Sequence, residues 1–236
     1  MPERFEDLAY ILHKRAYKES SYIIDLFTRE QGVVSVVAKG AKSNKSKFYL
    51  NLQLFNMLDV AYSGRSELMT LVQADVNRST SIAGQKNIFC GYYINELLLR
   101  LLHKHDQHPQ LFDSYKQIVF ALAEVDKPEP LLRRFEKTLL DEIGYGADFT
   151  CTVDGRALED ELMYVVSPGE GVMAAAPGQR SELLVSGKSL LAFAADDFSD
   201  EKTQLETKKL MRRILQHYLG DRPLKSRDLF AKTAGN

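Results

Sequence analysis

The sequence predicts an α+β protein: a small N-terminal barrel of five β-strands, then a mostly α-helical C-terminal domain carrying one small β-hairpin insertion. Three observations lead there. Five short runs rich in β-branched and aromatic residues fall within the first eighty positions. Beyond them the apolar residues recur at three- and four-residue steps, the period of a helix with one buried face. Between residues 162 and 175 two apolar runs flank Ser167-Pro168-Gly169-Glu170, a hairpin turn.

The expected strands are residues 8–12, 21–28, 33–38, 54–62 and 67–72. Gln31-Gly32 and Ser63-Gly64 supply turns between them. Five short antiparallel strands leave unpaired edges unless the sheet closes on itself. At this size the economical closure is a five-stranded Greek-key barrel of the OB type, with a small sandwich or SH3-like barrel as alternatives. Residues 39–51 then form the long connection between the third and fourth strands. Helices are expected at 88–102, 111–125, 131–143, 188–193 and 203–218. Pro128 and Pro130 mark the start of the third helix, and Gly144 its end. The boundary falls near the polar stretch 77–86. It gives an OB-fold nucleic-acid-binding domain over 1–79 and a helical domain over 80–236.

The chain has 236 residues, 31 basic and 32 acidic, for a net charge of −1. That balance argues against a histone-like polycation but leaves room for a local basic patch. Cys90 and Cys151 are too few for a disulfide framework or a four-cysteine zinc site, and reduced thiols are the simpler reading. The charged first residues do not form a signal peptide, and no apolar run reaches the roughly 20 residues that span a bilayer. A soluble, cytoplasmic protein without membrane contact is expected.

The densest basic stretch is residues 39–49, which hold Lys39, Lys42, Lys45 and Lys47 with no acid and end in Phe48 and Tyr49. Lysines neutralise phosphates and release counterions, and aromatic faces stack on unpaired bases. Lys14 and Arg15, on the first inter-strand connection, extend the patch. A solvated loop is the alternative, with Phe48 and Tyr49 closing the barrel core. A second cluster is Leu132, Arg133, Arg134 and Phe135. Adjacent arginines near a helix start oppose the helix dipole, which an acidic partner would offset. Salt bridges to Glu129 or Glu136 are the plainer explanation. A third basic stretch, residues 219–230, either touches phosphates or docks the tail. His103, His105 and His108 cross a helix end and make a poor metal set. Gly187-Lys188-Ser189 lacks the earlier glycine of a phosphate loop. Glu96 and Glu136 sit on apolar helices as partnered carboxylates, with no nucleophile or base beside them. No catalytic residue, metal or cofactor is expected, and the protein is read as no enzyme.

Five segments in this order resemble the bacterial RecO family, of the proteobacterial type. They are Val36-Val37-Ala38-Lys39-Gly40-Ala41-Lys42; Leu52-Gln53-Leu54-Phe55; Gly91-Tyr92-Tyr93-Ile94-Asn95-Glu96-Leu97-Leu98; Arg134-Phe135-Glu136 with Gly144-Tyr145; and Pro223-Leu224-Lys225-Ser226-Arg227. The resemblance covers nearly the whole chain. It implies a DNA repair and recombination mediator of the RecFOR pathway that binds single- and double-stranded DNA and anneals complementary strands without ATP. It implies binding to the acidic C-terminal tail of single-stranded DNA-binding protein, action with RecR to load RecA, and association with the nucleoid during repair. On that reading Arg133 or Arg134 meets the tail carboxylates, with Arg133 as the anchor and Leu132 and Phe135 lining or supporting the pocket for its ring. Many members carry a four-cysteine zinc module after the Gly-Tyr motif. This chain keeps only Cys151 there, so residues 147–177 read as a degenerate module without metal.

Overall fold

The computed structural model describes residues 3–176, 178 and 184–233, the last three of these by backbone only. Residue 177, at the edge of the degenerate-module region, lies outside them. Five strands open the chain: β1 (Arg4–Tyr17), β2 (Ser21–Thr28), β3 (Gly32–Ala38), β4 (Met57–Ser63) and β5 (Leu68–Arg78). They close into a barrel of order β1-β2-β3-β5-β4, in which only β3 and β5 run parallel. The interior follows the two-residue period of a strand. Ala9, Ile11, Ile24, Leu26, Val34 and Val36 point inward, with Leu58, Val60 and Leu71 opposite them.

β1 and β5 run longer than their apolar runs. Their ends pair fully with neighbours, as in Arg4↔Ser63 and Leu58↔Val76, while their polar side chains face water. Sequence hydrophobicity marks only the part of a strand that is buried.

Two helices follow, α1 (Gln85–Leu101) and α2 (Pro109–Glu124). They explain why β2 and β3 are buried on both faces. Outward-facing Tyr10 and Phe27 pack on Phe112 and Tyr115 of α2, with ring centroids 4.9–5.9 Å apart. At the bulge between Ile11 and His13, the amide of Asn95 on α1 donates to the Leu12 carbonyl at 3.0 Å. The Tyr115 hydroxyl donates to Asn95 Oδ1 at 2.7 Å, so a buried polar position is satisfied from both sides. Burial pushes the Tyr115 phenol far above its ordinary pKa.

The remaining elements are α3 (Glu129–Glu142), β6 (Met163–Ser167), β7 (Gly171–Ala174), β8 (Leu184–Ser186), α4 (Gly187–Ala194), α5 (Glu201–Leu219) and α6 (Lys225–Thr233). The expected hairpin is β6–β7, and β8 adds a third strand on the other edge of β6. The Gly187-Lys188-Ser189 segment opens α4 with Ser186 as its cap; a Cβ on Gly187 would lie 2.0 Å from the Glu159 carbonyl oxygen. The glycine serves close packing.

The chain forms two compact units, Met1–Asp126 with Leu224–Asn236, and Lys127–Pro223. Along the chain, 79/80 separates barrel from helices. In space, α1, α2 and α6 belong with the barrel. The second unit holds α3, the β7-β6-β8 sheet, α4 and α5 around Phe135, Leu139, Phe193 and Met211. No helix among the described residues is long and apolar enough to cross a membrane.

Candidate nucleic-acid interface

The connection from β3 to β4 is folded as consecutive turns. Ser46 N–H donates to the Ser43 carbonyl, Tyr49 N–H to Ser46, and Asn51 and Leu52 N–H to Phe48. Gly40 starts the excursion at φ +68°, a conformation glycine adopts without strain. Ala41, Phe48 and Leu52 drop into the barrel core. Phe48 is therefore a core residue, and Tyr49, half exposed, is the ring left outside.

This seating fixes the lysines. Lys14 Nζ donates to the Leu52 carbonyl at 2.8 Å, Lys42 Nζ to Lys18 at 2.7 Å and Lys47 Nζ to Val72 at 2.6 Å. Lys14 and Lys42 converge on the Tyr22 ring at 5.3 and 5.8 Å, and Lys47 lies 5.1 Å from the Phe48 ring. Burial lowers the Lys14 pKa. Arg15, Lys39 and Lys45 stay exposed beside them. Lys14 and Arg15, expected on the first inter-strand connection, lie inside β1, paired with Ile24 and Ile23, because the strand runs past its apolar stretch. All six cations expected to meet DNA thus sit on the β1–β2 hairpin and the one loop pinned to it by Lys42 N–H to Ser20 O. No acid occurs between Glu30 and Asp59.

Acids collect elsewhere on the barrel. Glu6, Asp59 and Asp75 are exposed on β1, β4 and β5, and half-buried Asp7 has its pKa raised by burial. Glu19, exposed at the β1–β2 turn, is the exception, and the cations of the lysine side outnumber it.

The second expected cluster divides. Leu132 and Phe135 are buried in α3. Arg133 is also buried, its side chain 11% exposed, and its guanidinium pairs with Glu136, whose side chain is 1% exposed. Arg134 is the outward residue. It donates to the Asp196 carbonyl at 3.1 Å, with its guanidinium 5.7 Å from the Phe198 ring.

The third stretch runs from the end of α5 at Leu219 into α6, which is docked on α1 through Glu96, with Phe230 against Phe89 at 5.6 Å. His105, at φ +61°, and His108, 3.5 Å from Asp106, sit in the α1–α2 connection. Cys90 and Cys151 make no disulfide. Cys151 Sγ donates to Asp148 Oδ2, while across the following turn Thr152 N–H donates to the Arg156 carbonyl and Thr152 Oγ1 accepts from the Arg156 N–H. Hydrogen bonds hold this turn, and no group of three or more His, Cys, Asp or Glu able to hold a metal exists among the described residues. These residues do not fit zinc.

A closed 1-2-3-5-4 barrel with cations gathered on one hairpin and the adjoining loop defines the class of oligonucleotide-binding (OB) barrel proteins. Comparison narrows the class. The family model described as Recombination protein O N terminal matches residues 1–80, and that described as Recombination protein O C terminal matches residues 86–228. The chain is 38% identical to DNA repair protein RecO of Marinobacter nauticus, covering 96% of this chain and 94% of the relative. It is 38% identical to DNA repair protein RecO of Haemophilus influenzae, covering 94% of each. For DNA repair protein RecO of Methylococcus capsulatus the identity is 40%, over 97% of this chain and 93% of the relative. The chain belongs to the RecO family of DNA repair proteins.

One basic surface escaped the sequence reading. α5 carries Lys208, Lys209, Arg212 and Arg213, all exposed. Reading that segment for its apolar period hid the charges between the apolar positions.

Proposed function

We propose that the protein is a DNA repair and recombination mediator that holds single- and double-stranded DNA on the lysine face of the barrel and anneals complementary strands without ATP or any bond-making step. The observation that carries this is the acid-free loop of residues 39–56, seated in the barrel core and tied to the β1–β2 hairpin. It presents fixed positive charge to a phosphate backbone, while base pairing supplies sequence specificity. Repulsion between two strands falls when both lie near cations. Recruitment to coated single strands is by the tail of single-stranded DNA-binding protein, whose carboxylates meet Arg134, a reading supported by its exposure on the outer face of α3. Arg133, with Leu132 and Phe135, supports that helix from inside. The protein acts with RecR in loading RecA, in the cytoplasm and at the nucleoid.

The test is fluorescence anisotropy with a labelled single strand and, separately, an acidic tail peptide, each across a salt series. Replacing Arg15, Lys39 and Lys45 by Glu should weaken DNA binding at least tenfold and flatten its salt dependence, with peptide binding unchanged. Wild-type affinity and slope for that variant would exclude the barrel face.

A second reading, a protein-only adaptor with incidental DNA affinity, is favoured by one observation. Three of the six ammonium or guanidinium groups already donate to main-chain carbonyls. On that reading repair in cells survives the triple change.

A further inference from the structure

The geometry points to a second polynucleotide-binding surface, on α5 in the unit Lys127–Pro223, that contacts the phosphate backbone of another strand. This rests on the DNA-binding reading of the barrel and adds a site to it. The segment is Lys208-Lys209-Leu210-Met211-Arg212-Arg213. Leu210 and Met211 are buried in that unit with Ile214 and Leu215, and they fix which side of the helix faces out. The four cations flanking them are exposed. At about 100° per residue they cover roughly 140° of the helix surface along about 7.5 Å of its length. No acid occurs from Thr207 to Leu219. The helix's own acids are placed otherwise. Glu201 is in the first turn, and Glu206 accepts hydrogen bonds from Ser186 N–H and Oγ and lies 3.7 Å from Lys202.

Two features separate this band from an ordinary solvated helix face. Lys208 and Arg212 are a like-charge pair four apart, which destabilises a helix, and no acid of the helix stands three or four positions from either to relieve it. Nor does the helix dipole account for them, because its effect falls off within the last turn and Arg213 lies six residues before Leu219. In a chain of net charge −1, such segregation marks a polyanion contact. The occupant is a nucleic-acid strand and not an acidic peptide. The pocket against α5 is lined by Met211 and Ile214 from its buried side, and on the described helix Leu205 is the one large exposed apolar side chain, so the band offers a peptide no anchor, whereas phosphates need only charge. With one cationic surface on each unit, a single molecule holds two strands.

The experiment uses the full-length protein and two non-complementary oligothymidylates of about 15 nucleotides, one carrying a donor and one an acceptor dye. Energy transfer at equimolar protein reports two strands on one molecule. In K208Q/K209Q/R212Q, transfer should fall at least about fivefold and the salt slope with a long single strand should drop by about 2, three phosphates' worth. The affinity for a first oligonucleotide and the thermal midpoint should stay at wild-type values. Unchanged transfer and slope would overturn the assignment, as would loss of acidic-peptide binding with DNA binding intact. K39Q/K45Q is the separate arm. If it leaves first-strand affinity untouched, the barrel reading fails, whatever α5 does.

Discussion

Glu96 on α1 holds the start of α6 by accepting from Ser226: its Oε2 takes the Ser226 N–H at 2.8 Å and the Ser226 hydroxyl at 2.6 Å, while Oε1 takes the Lys225 N–H at 2.9 Å. A carboxylate 129 positions away thus caps the last helix. Burial pushes the Glu96 pKa up. The hydrogen bonds from Ser226 and Lys225 and the nearby Arg100 charge outweigh it and hold the carboxyl below the ordinary glutamate range. Since the folded pKa is depressed, the clasp is fully present above the unfolded value of about 4.3 and is lost as pH falls through the folded one. Hydrogen exchange of α6 should therefore accelerate on acidification below about pH 4.5. Glu96→Ala should cost about 1–2 kcal/mol and remove that pH dependence. Exchange of α6 in the variant that matches wild type at neutral pH would show that the clasp is not what holds α6.

Gly91 shows why the same motif tolerates no side chain at its first position. A Cβ there would lie 2.6 Å from the ring carbons of Phe55, which is itself 7% exposed and held at φ +68°. The ring cannot swing away without leaving the core. Gly91→Ala should destabilise by about 1–3 kcal/mol in chemical denaturation despite its better helix propensity. A gain in stability would mean the ring has room that the packing does not show.

The lysines of the loop divide into two kinds. Lys42 and Lys47 have their ammonium groups on main-chain carbonyls, whereas Lys39 and Lys45 extend into solvent. K42M/K47M should loosen the loop, raising proteolysis near residues 43–51, and reduce DNA affinity through that disorder. K39Q/K45Q should leave proteolysis unchanged and lower the salt slope of single-strand binding by about 1.4. Equal slopes in both variants would mean that the anchored lysines release counterions too.

The barrel was readable because its strands are rich in Val, Ile and Phe, and the helices because their apolar residues keep the 3.6 period. Three features were not. β8 is three residues long, too short for a pattern. α6 is capped by Glu96, a contact visible only once the chain has folded. The basic side of α5 lay between apolar positions that drew attention to the core. The resemblance segments prove to be chiefly architectural. Gly91 meets Phe55, Asn95 fills the β1 bulge and Glu96 clasps Ser226, so the longest of them positions three other parts of the chain. The residues proposed to touch DNA lie mostly outside these segments, because phosphate binding asks for charge and not for one fixed geometry.

Arg133 and Arg134 are adjacent in sequence and opposite in environment. Position 133 falls on the buried face of α3 with Leu132 and Phe135, and Glu136, one turn on, supplies the countercharge there. Position 134 falls on the outer face. Removing the guanidinium from beside a buried carboxylate is expensive, so Arg133→Met should destabilise by about 3–5 kcal/mol, and R133M/E136L should recover most of that loss. Arg134→Ala should leave the thermal midpoint unchanged and weaken binding of an acidic tail peptide at least fivefold. The double variant, which keeps Arg134 and the fold, should bind the peptide as wild type does. If instead R133M/E136L is stable and has lost the peptide while R134A keeps it, the buried arginine is the anchor after all, and α3 must open to admit the tail.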